Sequence, residues 1–373
     1  MNMRDLFPGY YQPTEEEFAE LWEKCIFSFD TNVLLHIYRY SPKTRERLFD
    51  ILQKFQERIW IPHQVAYEIH KNRLTVISDQ SGAYKEIQTI LDKNLAIGAL
   101  KDPLFKNFKR HPFIDVNKII EDIELVIKKI EDDLQVKKQA HPNYLESDDL
   151  WDKLIAIING KIGQPYIKDK LKEIHKDAEQ RFKDSVPPGY EDAKEKPAPD
   201  KYGDVVIWRQ LIDYAKSEKK SLIFVTDDNK QDWWLKHDRK TVSPRPELVE
   251  EMRTEAGVRF YMYSADRFLD YAQKFLNLSE QPEVIEEARE IRGQDLESKP
   301  LLTEQNLSTK EELKKELQIV KEDQALLQIK LKKLQFPFHK SIFGKMEEYD
   351  IEEKLINLQR AQRLAEEKLA ALE

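Results

Sequence analysis

Cysteine is nearly missing: the 373 residues hold one, Cys25. A single thiol forms no disulfide within the chain and no cysteine-based zinc site. It points toward a reducing compartment. Long apolar runs are missing too. No stretch of about 18 apolar residues occurs, so no membrane span is expected. The opening "MNMRDLFPGYYQPTEEEFAELW" is acidic and lacks the apolar core of a signal peptide. A cytoplasmic location is the expectation. Several catalytic signatures are absent as well. No G-x-x-x-x-G-K-[ST] occurs, which disfavours a P-loop NTPase, and no G-x-G, which removes a dinucleotide fingerprint. No G-x-S-x-G occurs, which disfavours a hydrolase with a nucleophile elbow.

What is present starts with a composition that is 40% hydrophobic and 35% charged. That apolar fraction supports a core and argues against wholesale disorder. The length suggests two domains, or one domain with an extension. The formal net charge is −8. It offers no overall electrostatic case for binding nucleic acid, although a basic groove can sit on an acidic protein. The balance also suits a protein that gathers carboxylates around divalent cations.

The element pattern points to an α/β fold with a central parallel sheet flanked by helices. "TEEEFAELWEK" (14–24) predicts a helix, with Thr14 as N-cap and Glu17 as its capping-box partner. "CIFSFD" predicts a buried strand. Ser41 and Pro42 suit the N-cap and first position of a helix over "SPKTRERLFDILQKFQ". "RIWIP" predicts a second strand. "HQVAYEIHKNRLTVISDQ" predicts a helix with Val65, Ile69 and Leu74 toward its apolar side. Alternating strands and helices are the rhythm of a parallel sheet. The rhythm stops between about 80 and 180, where charged, helix-like sequence predicts a helical insertion. "SVPPGYEDAKEKPAPDKYGD" (185–204) reads as a loop. The rhythm then resumes: a helix over "DVVIWRQLIDYAKSEKK", a strand in "SLIFVTDDN", a helix ended by Gly257, a strand in "VRFYMYS" and a helix over "ADRFLDYAQKFL". The expected organisation is a first domain part at 1–80, an insertion at 81–195, a second part at 196–278 and a helical arm at 279–373. In the arm, Leu313 to Leu334 and Ile351 to Leu372 carry two heptad seams, each with one Gln. Pro337 and Gly344 lie between them, which suggests an antiparallel helical hairpin or coiled coil. The arm reads as a solvent-exposed extension, and as a route to dimerisation or to a protein partner.

Acids recur where strands end and helices begin. Asp30 ends the first strand, Glu68 lies near a helix start, Asp204 begins another helix, and Asp227 and Asp228 end the strand "LIFVT". In a parallel sheet those positions share one edge, where sites form. Clustered carboxylates repel and need a positive charge between them. Mg2+ or Mn2+ supplies it and favours oxygen ligands. Two such ions can clamp the oxygens of a phosphodiester under cleavage. Taken singly, Asp30, Asp204 and Asp228 also suit helix caps and turns.

"FSFDTNVLLHIYRYS", "RIWIPHQVAYEIHKNR", "YGDVVIWRQLIDYA" and "LIFVTDDNKQDWW" occur in that order. Together they resemble a PIN-like nuclease domain, over roughly residues 20–80 and 200–276, with an enlarged middle. The resemblance implies a metal-dependent phosphodiester hydrolase that uses Mg2+ or Mn2+ and cuts RNA, leaving a 3′-hydroxyl and a 5′-phosphate. It assigns metal ligation to Asp30, Glu68, Asp204 and Asp228. The family motif Thr-x-Asp maps onto Thr226 and Asp228, but Asp227 beside it also suits the role, so the choice within the pair stays open. Asn32, or Thr31, would orient Asp30 or touch substrate, and Asp232 would make a secondary contact or cap a turn. The chain between Glu68 and Asp204 is far longer than a compact domain of this kind uses. That makes Asp204 less secure than Asp30, and leaves Glu146 or Asp148 as alternative acids. Related chains look like toxins or antiviral defence effectors. A structure-specific DNA nuclease and a catalytically silent scaffold working through its coiled coil are the alternatives.

Other residues carry two readings. Arg39, Arg73, Lys71 and Arg209 either meet phosphates or are solvated charges. Tyr38, Tyr40, Trp208, Trp233 and Trp234 either stack on bases or pack the core, with packing favoured. His36, His63 and His70 lie near the acids, but oxygen-ligated ions do not need them. "FDTN" resembles the start of an aspartyl-phosphatase motif, which would want a second Asp where Asn32 stands.

Overall fold

The computed structural model describes residues 2–94, 97–108, 110–237 and 240–298, together with 321 and 362. The chain divides into two compact units, residues 1–193 with 198–296, and residues 194–197 with 297–373. The fold below belongs to the first. The two heptad seams lie, Gln362 apart, outside the described residues.

Five strands occur among the described residues: β1 Ile26–Phe29, β2 Leu222–Val225, β3 Trp234–His237, β4 Lys240–Pro244 and β5 Phe260–Tyr263. β1, β2 and β5 form a parallel sheet in the order β1-β2-β5. Ile26 pairs with Leu222 and Leu222 with Phe260, in unbroken register to Phe29, Val225 and Tyr263. Every residue of β1 and β2 is buried. That is why the two strands read as continuous apolar runs rather than alternating ones.

The register assigns aromatic side chains to two faces. Phe27, Phe29 and Tyr263 meet Trp22 and Phe268 on one side. Phe224 and Phe260 meet Trp233 and Trp208 on the other. Each fully buried aromatic contributes about 1.5–3 kcal/mol. The Trp22 indole also donates to the Tyr263 hydroxyl at 3.1 Å, so its polar edge is satisfied inside the core.

Helices cover both faces. Glu15–Lys24 starts at the expected capping box between Thr14 and Glu17. Pro42–Lys54 starts on Ser41, whose hydroxyl accepts from Thr44 N. Gly203–Glu218 leads into β2, and Pro246–Ala256 ends at Gly257 in the left-handed conformation, φ 73°. Ala265–Phe275 and Pro282–Ser298 follow β5.

Three features differ from the sequence reading. "RIWIP" forms isolated bridges instead of a strand: Ile59 pairs with Phe27 and Ile61 with Ile162. It pairs one residue to each side and then meets Pro62, which has no N–H to continue a ladder. The next helix runs unbroken from His63 to Asn94. Its buried side carries Val65, Ile69, Val76 and Ile77, while Leu74 is exposed. The antiparallel hairpin β3–β4 was not legible in "WWLKHDRKTVSP". In the middle of the chain, Ile97–Phe108, Val116–Ala140, Asp149–Ile158 and Lys168–Lys183 are helical, as expected for an insertion. No helix among the described residues is long and apolar enough to cross a membrane.

Candidate functional site

The carboxyl ends of β1 and β2 lie side by side, and Asp30 N donates to Val225 O at 2.9 Å across them. Asp30 stands where β1 gives way to the helix Thr31–Leu35 and accepts from Thr31 N at 2.7 Å. Its second oxygen accepts from the Thr226 hydroxyl at 2.6 Å. The same hydroxyl accepts from Asp228 N at 3.0 Å. Thr226 therefore fixes one acid through its proton and the next through its lone pair.

Glu68 comes from the first turns of His63–Asn94. It accepts from the Thr31 hydroxyl at 3.1 Å and from Gln64 Nε2 at 2.9 Å. Gly203 packs against it: a β-carbon there would stand 2.8 Å from Glu68 Oε1. The tight approach brings the helix start that carries Asp204 up to Glu68. Asp204 and Asp228 are joined through Lys230, whose Nζ lies 3.4 Å from one and 2.7 Å from the other. Lys230 also pairs with Asp192, which is buried beneath the loop after Lys168–Lys183.

The electrostatics register this convergence. Burial pushes Asp30 up to about 7 against the Thr226 hydrogen bond, and the charges of Asp204, Glu68 and Asp228 reinforce the rise. Asp30 itself is half-buried. Asp232 is fully buried and is likewise raised to about 7, by burial and then by Asp204. It accepts from Gly189 N at 2.8 Å and from Glu191 N at 3.1 Å, so it pins the 185–204 loop. Burial works against the charge on Lys230, but Asp204, Asp228 and Asp192 outweigh it and hold the ammonium above the usual lysine range.

Four of the sequence-derived acids, Asp30, Glu68, Asp204 and Asp228, thus meet at one edge. Asp227 faces elsewhere. Its oxygens take His36 Nε2 at 2.9 Å and Ala265 N at 2.8 Å, both in the interior. Asn32 accepts from Asp227 N at 3.4 Å. Arg39 is half-buried at the end of the turn His36–Tyr38. Arg73 is engaged with Asp148 and lies over the Trp151 ring at 4.8 Å. Asp148 also caps Asp149–Ile158 and accepts from the Tyr38 hydroxyl, which keeps it in a structural network. Lys71 pairs with Asp200, and Arg209 with Asp177 and Glu255. Tyr38, Tyr40, Trp208, Trp233 and Trp234 are buried, which agrees with the packing reading. His36 and Ile37 are buried with them. Burial lowers His63, and His70 sits edge-on to Trp151.

Sequence reasoning missed Lys230, Asp192 and Gly203. The lysine inside "TDDNKQD" was a visible signal, because a lone base among acids tends to be shared by them. Asp192 had none, being one charge among many in a loop.

The acids offer only oxygen donors and repel one another, which fits Mg2+ or Mn2+ chemistry. Among the described residues no three His, Cys, Asp or Glu side chains stand in a ready metal-holding group. Lys230 provides the central positive charge instead.

A family model described as a PIN like domain matches residues 26–248, more than half of the chain. The chain belongs to this family. PIN-like domains have a nuclease-type fold, are generally nucleases acting on nucleic acids, and commonly use divalent metals such as Mg2+ or Mn2+. Comparisons with curated proteins and with solved structures give no match. The PIN-like match runs through Asp30, Glu68, Asp204 and Asp228, and it includes the whole helical middle.

Proposed function

We propose that this PIN-like chain is a metal-dependent endoribonuclease whose metal ligands are Asp30, Glu68, Asp204 and Asp228. The supporting observation is the polar network that links the four acids from separate segments: Thr31 joins Glu68 to Asp30, Thr226 joins Asp30 to Asp228, and Lys230 joins Asp228 to Asp204. Four acids brought from so far apart in sequence serve no cap or turn in common. When bound, a divalent cation supplies Lewis acidity to the phosphoryl group and lowers the pKa of water. The chain's own residues set up that chemistry. Thr226 orients Asp30 and Asp228, and Thr31 with Gln64 orients Glu68. Lys230 pairs with both Asp204 and Asp228 and would give way where a cation were held by them. Asp227 is proposed as a structural residue, since both its oxygens are taken.

The test is cleavage of labelled RNA and DNA strands by the full chain with Mn2+ or Mg2+. Asp30→Asn is expected to bring cleavage below about 1% of wild type while leaving the melting temperature intact. Undiminished cleavage by that variant would overturn the assignment. Faster cutting of DNA than RNA would shift the reading to a DNA nuclease. Lys230 among the acids favours a second reading, a silent scaffold with a permanently neutralised site. A chain that neither cuts nor gains thermal stability from Mn2+ would establish it. A role as toxin or defence effector, action through a protein partner or homo-oligomer, and a cytoplasmic setting stay within this proposal as context for the nuclease.

A further inference from the structure

A cavity of ≈ 300 Å3 opens beside the acids, sharing Asp228 with them. Its other walls include Asn229, Ser264, Arg267 and Arg292. A larger cavity, ≈ 600 Å3, lies by Ser221 and Phe260 and touches none of the candidate acids.

The smaller cavity has the chemistry of an anion site. Ser264 is 4% exposed, and its hydroxyl has no hydrogen-bond partner among the described residues. A buried hydroxyl with no partner is costly, so a ligand that fills its valence is favoured. Ser264 also precedes the helix Ala265–Phe275 and makes no side-chain cap bond to it. The start of that helix borders the same space, with Ala265 N already given to Asp227. Arg267 lies in its first turn, is exposed, and forms no ion pair among the described residues. Arg292 reaches the cavity from Pro282–Ser298 while its Nε lies 3.4 Å from Asp266. The two acids on the wall do not cancel these donors. Asp227 is taken by His36 and Ala265 N, and Asp228 by Lys230.

We infer that this cavity is a phosphate-binding subsite, in which Ser264, Arg267 and Arg292 hold a phosphate of the nucleic-acid strand next to the one at the acids. The inference rests on the nuclease reading for the identity of the strand, and only there. A phosphate in this cavity and a phosphate at Asp228 are neighbours across one shared wall, which suits successive groups of a single backbone. Contacts of this kind position a strand without reading its sequence.

The experiment uses the full chain carrying Asp30→Asn, so that strands are bound without being cut. Binding of fluorescein-labelled single-stranded RNA and DNA is followed by anisotropy. Adding Arg267→Gln is expected to weaken both by about five- to tenfold and to reduce the salt slope by about 0.7 between about 50 and 200 mM salt. Ser264→Ala is expected to weaken both by about two- to fivefold. Arg267 is exposed and forms no ion pair among the described residues, so its variant should melt as the parent does. In a second arm, inorganic phosphate is added to wild type and to Arg267→Gln, and the melting temperature is read. Arg267-dependent strand binding identifies the ligand as a backbone phosphate. An Arg267-dependent phosphate shift without it identifies a free phosphate group. Dependence in neither arm overturns the subsite, and if wild type still cuts RNA the nuclease reading survives that failure. Dependence in either arm with no cutting by wild type leaves the subsite standing and removes the nuclease reading.

Discussion

Asp227 and Asp228 are adjacent in the chain and serve opposite networks: the first closes on His36 and the start of Ala265–Phe275, the second on Lys230 and Thr226. Consecutive side chains at a strand end diverge in this way. Asp227→Ala leaves the His36 ring and Ala265 N without their acceptor in the interior. It is expected to cost about 3 kcal/mol of stability while preserving the thermal shift produced by Mn2+. Asp228→Asn is expected to do the reverse, melting near wild type in chelator and losing both the Mn2+ shift and cleavage. Calorimetry with and without Mn2+ separates the two, and an exchange of their phenotypes would make Asp227 the ligand.

Gly203 offers a gentler probe. Its backbone is ordinary right-handed helix, φ −51° and ψ −51°, so alanine is tolerated there. The added methyl would press on Glu68 Oε1, the movable end of a side chain. Gly203→Ala is therefore expected to keep or slightly raise the melting temperature. It is expected to weaken Mn2+ binding by about tenfold, measured by titration calorimetry. Unchanged Mn2+ affinity would mean that Glu68 stands outside the metal set.

Lys230→Met removes the ammonium from among Asp192, Asp204 and Asp228. In chelator the stranded carboxylates are expected to cost about 3 kcal/mol, or roughly 4 °C in a chain of this size. Mn2+ is then expected to stabilise the variant more than wild type, because the cation no longer competes with a resident lysine. Equal Mn2+ shifts in the two proteins would show that Lys230 and the metal do not share a place.

Asp30 and Asp232 are both raised to about 7, chiefly by burial. The folded chain keeps those protons at pH values where the unfolded chain has released them. Their stabilising effect is complete below about pH 4 and is lost as pH rises through about 7. In chelator, the melting temperature is expected to fall between about pH 4 and 7, and Asp232→Asn is expected to flatten part of that fall. A slope that Asp232→Asn leaves unchanged would remove Asp232 as its source.

The legible parts of this fold were those written in local chemistry. The box at Thr14 and Glu17, the Ser41–Pro42 start and the left-handed Gly257 each depend on a few neighbouring residues, and each was found where the chain said. Buried strands were legible because β2 is apolar throughout and β1 is apolar but for Ser28. "RIWIP" misled for the same reason: it has strand composition but only single partners on either side. At the site, Asp30 and Asp228 were visible as polar residues after apolar runs. Asp192 and the close approach of Gly203 to Glu68 depend on how a long loop and a distant helix come together, and no local pattern encodes that.

The pairing of Ile26 with Leu222 also has a temporal meaning. During synthesis, Asp30 and Glu68 leave the ribosome long before Asp204 and Asp228 exist. A nascent, stalled or clipped product that stops in the helical middle holds half of the acids and none of the second strand. The full set of candidate acids therefore exists only once the polypeptide has been read past Asp228, and under the proposed function no shorter product carries the whole site.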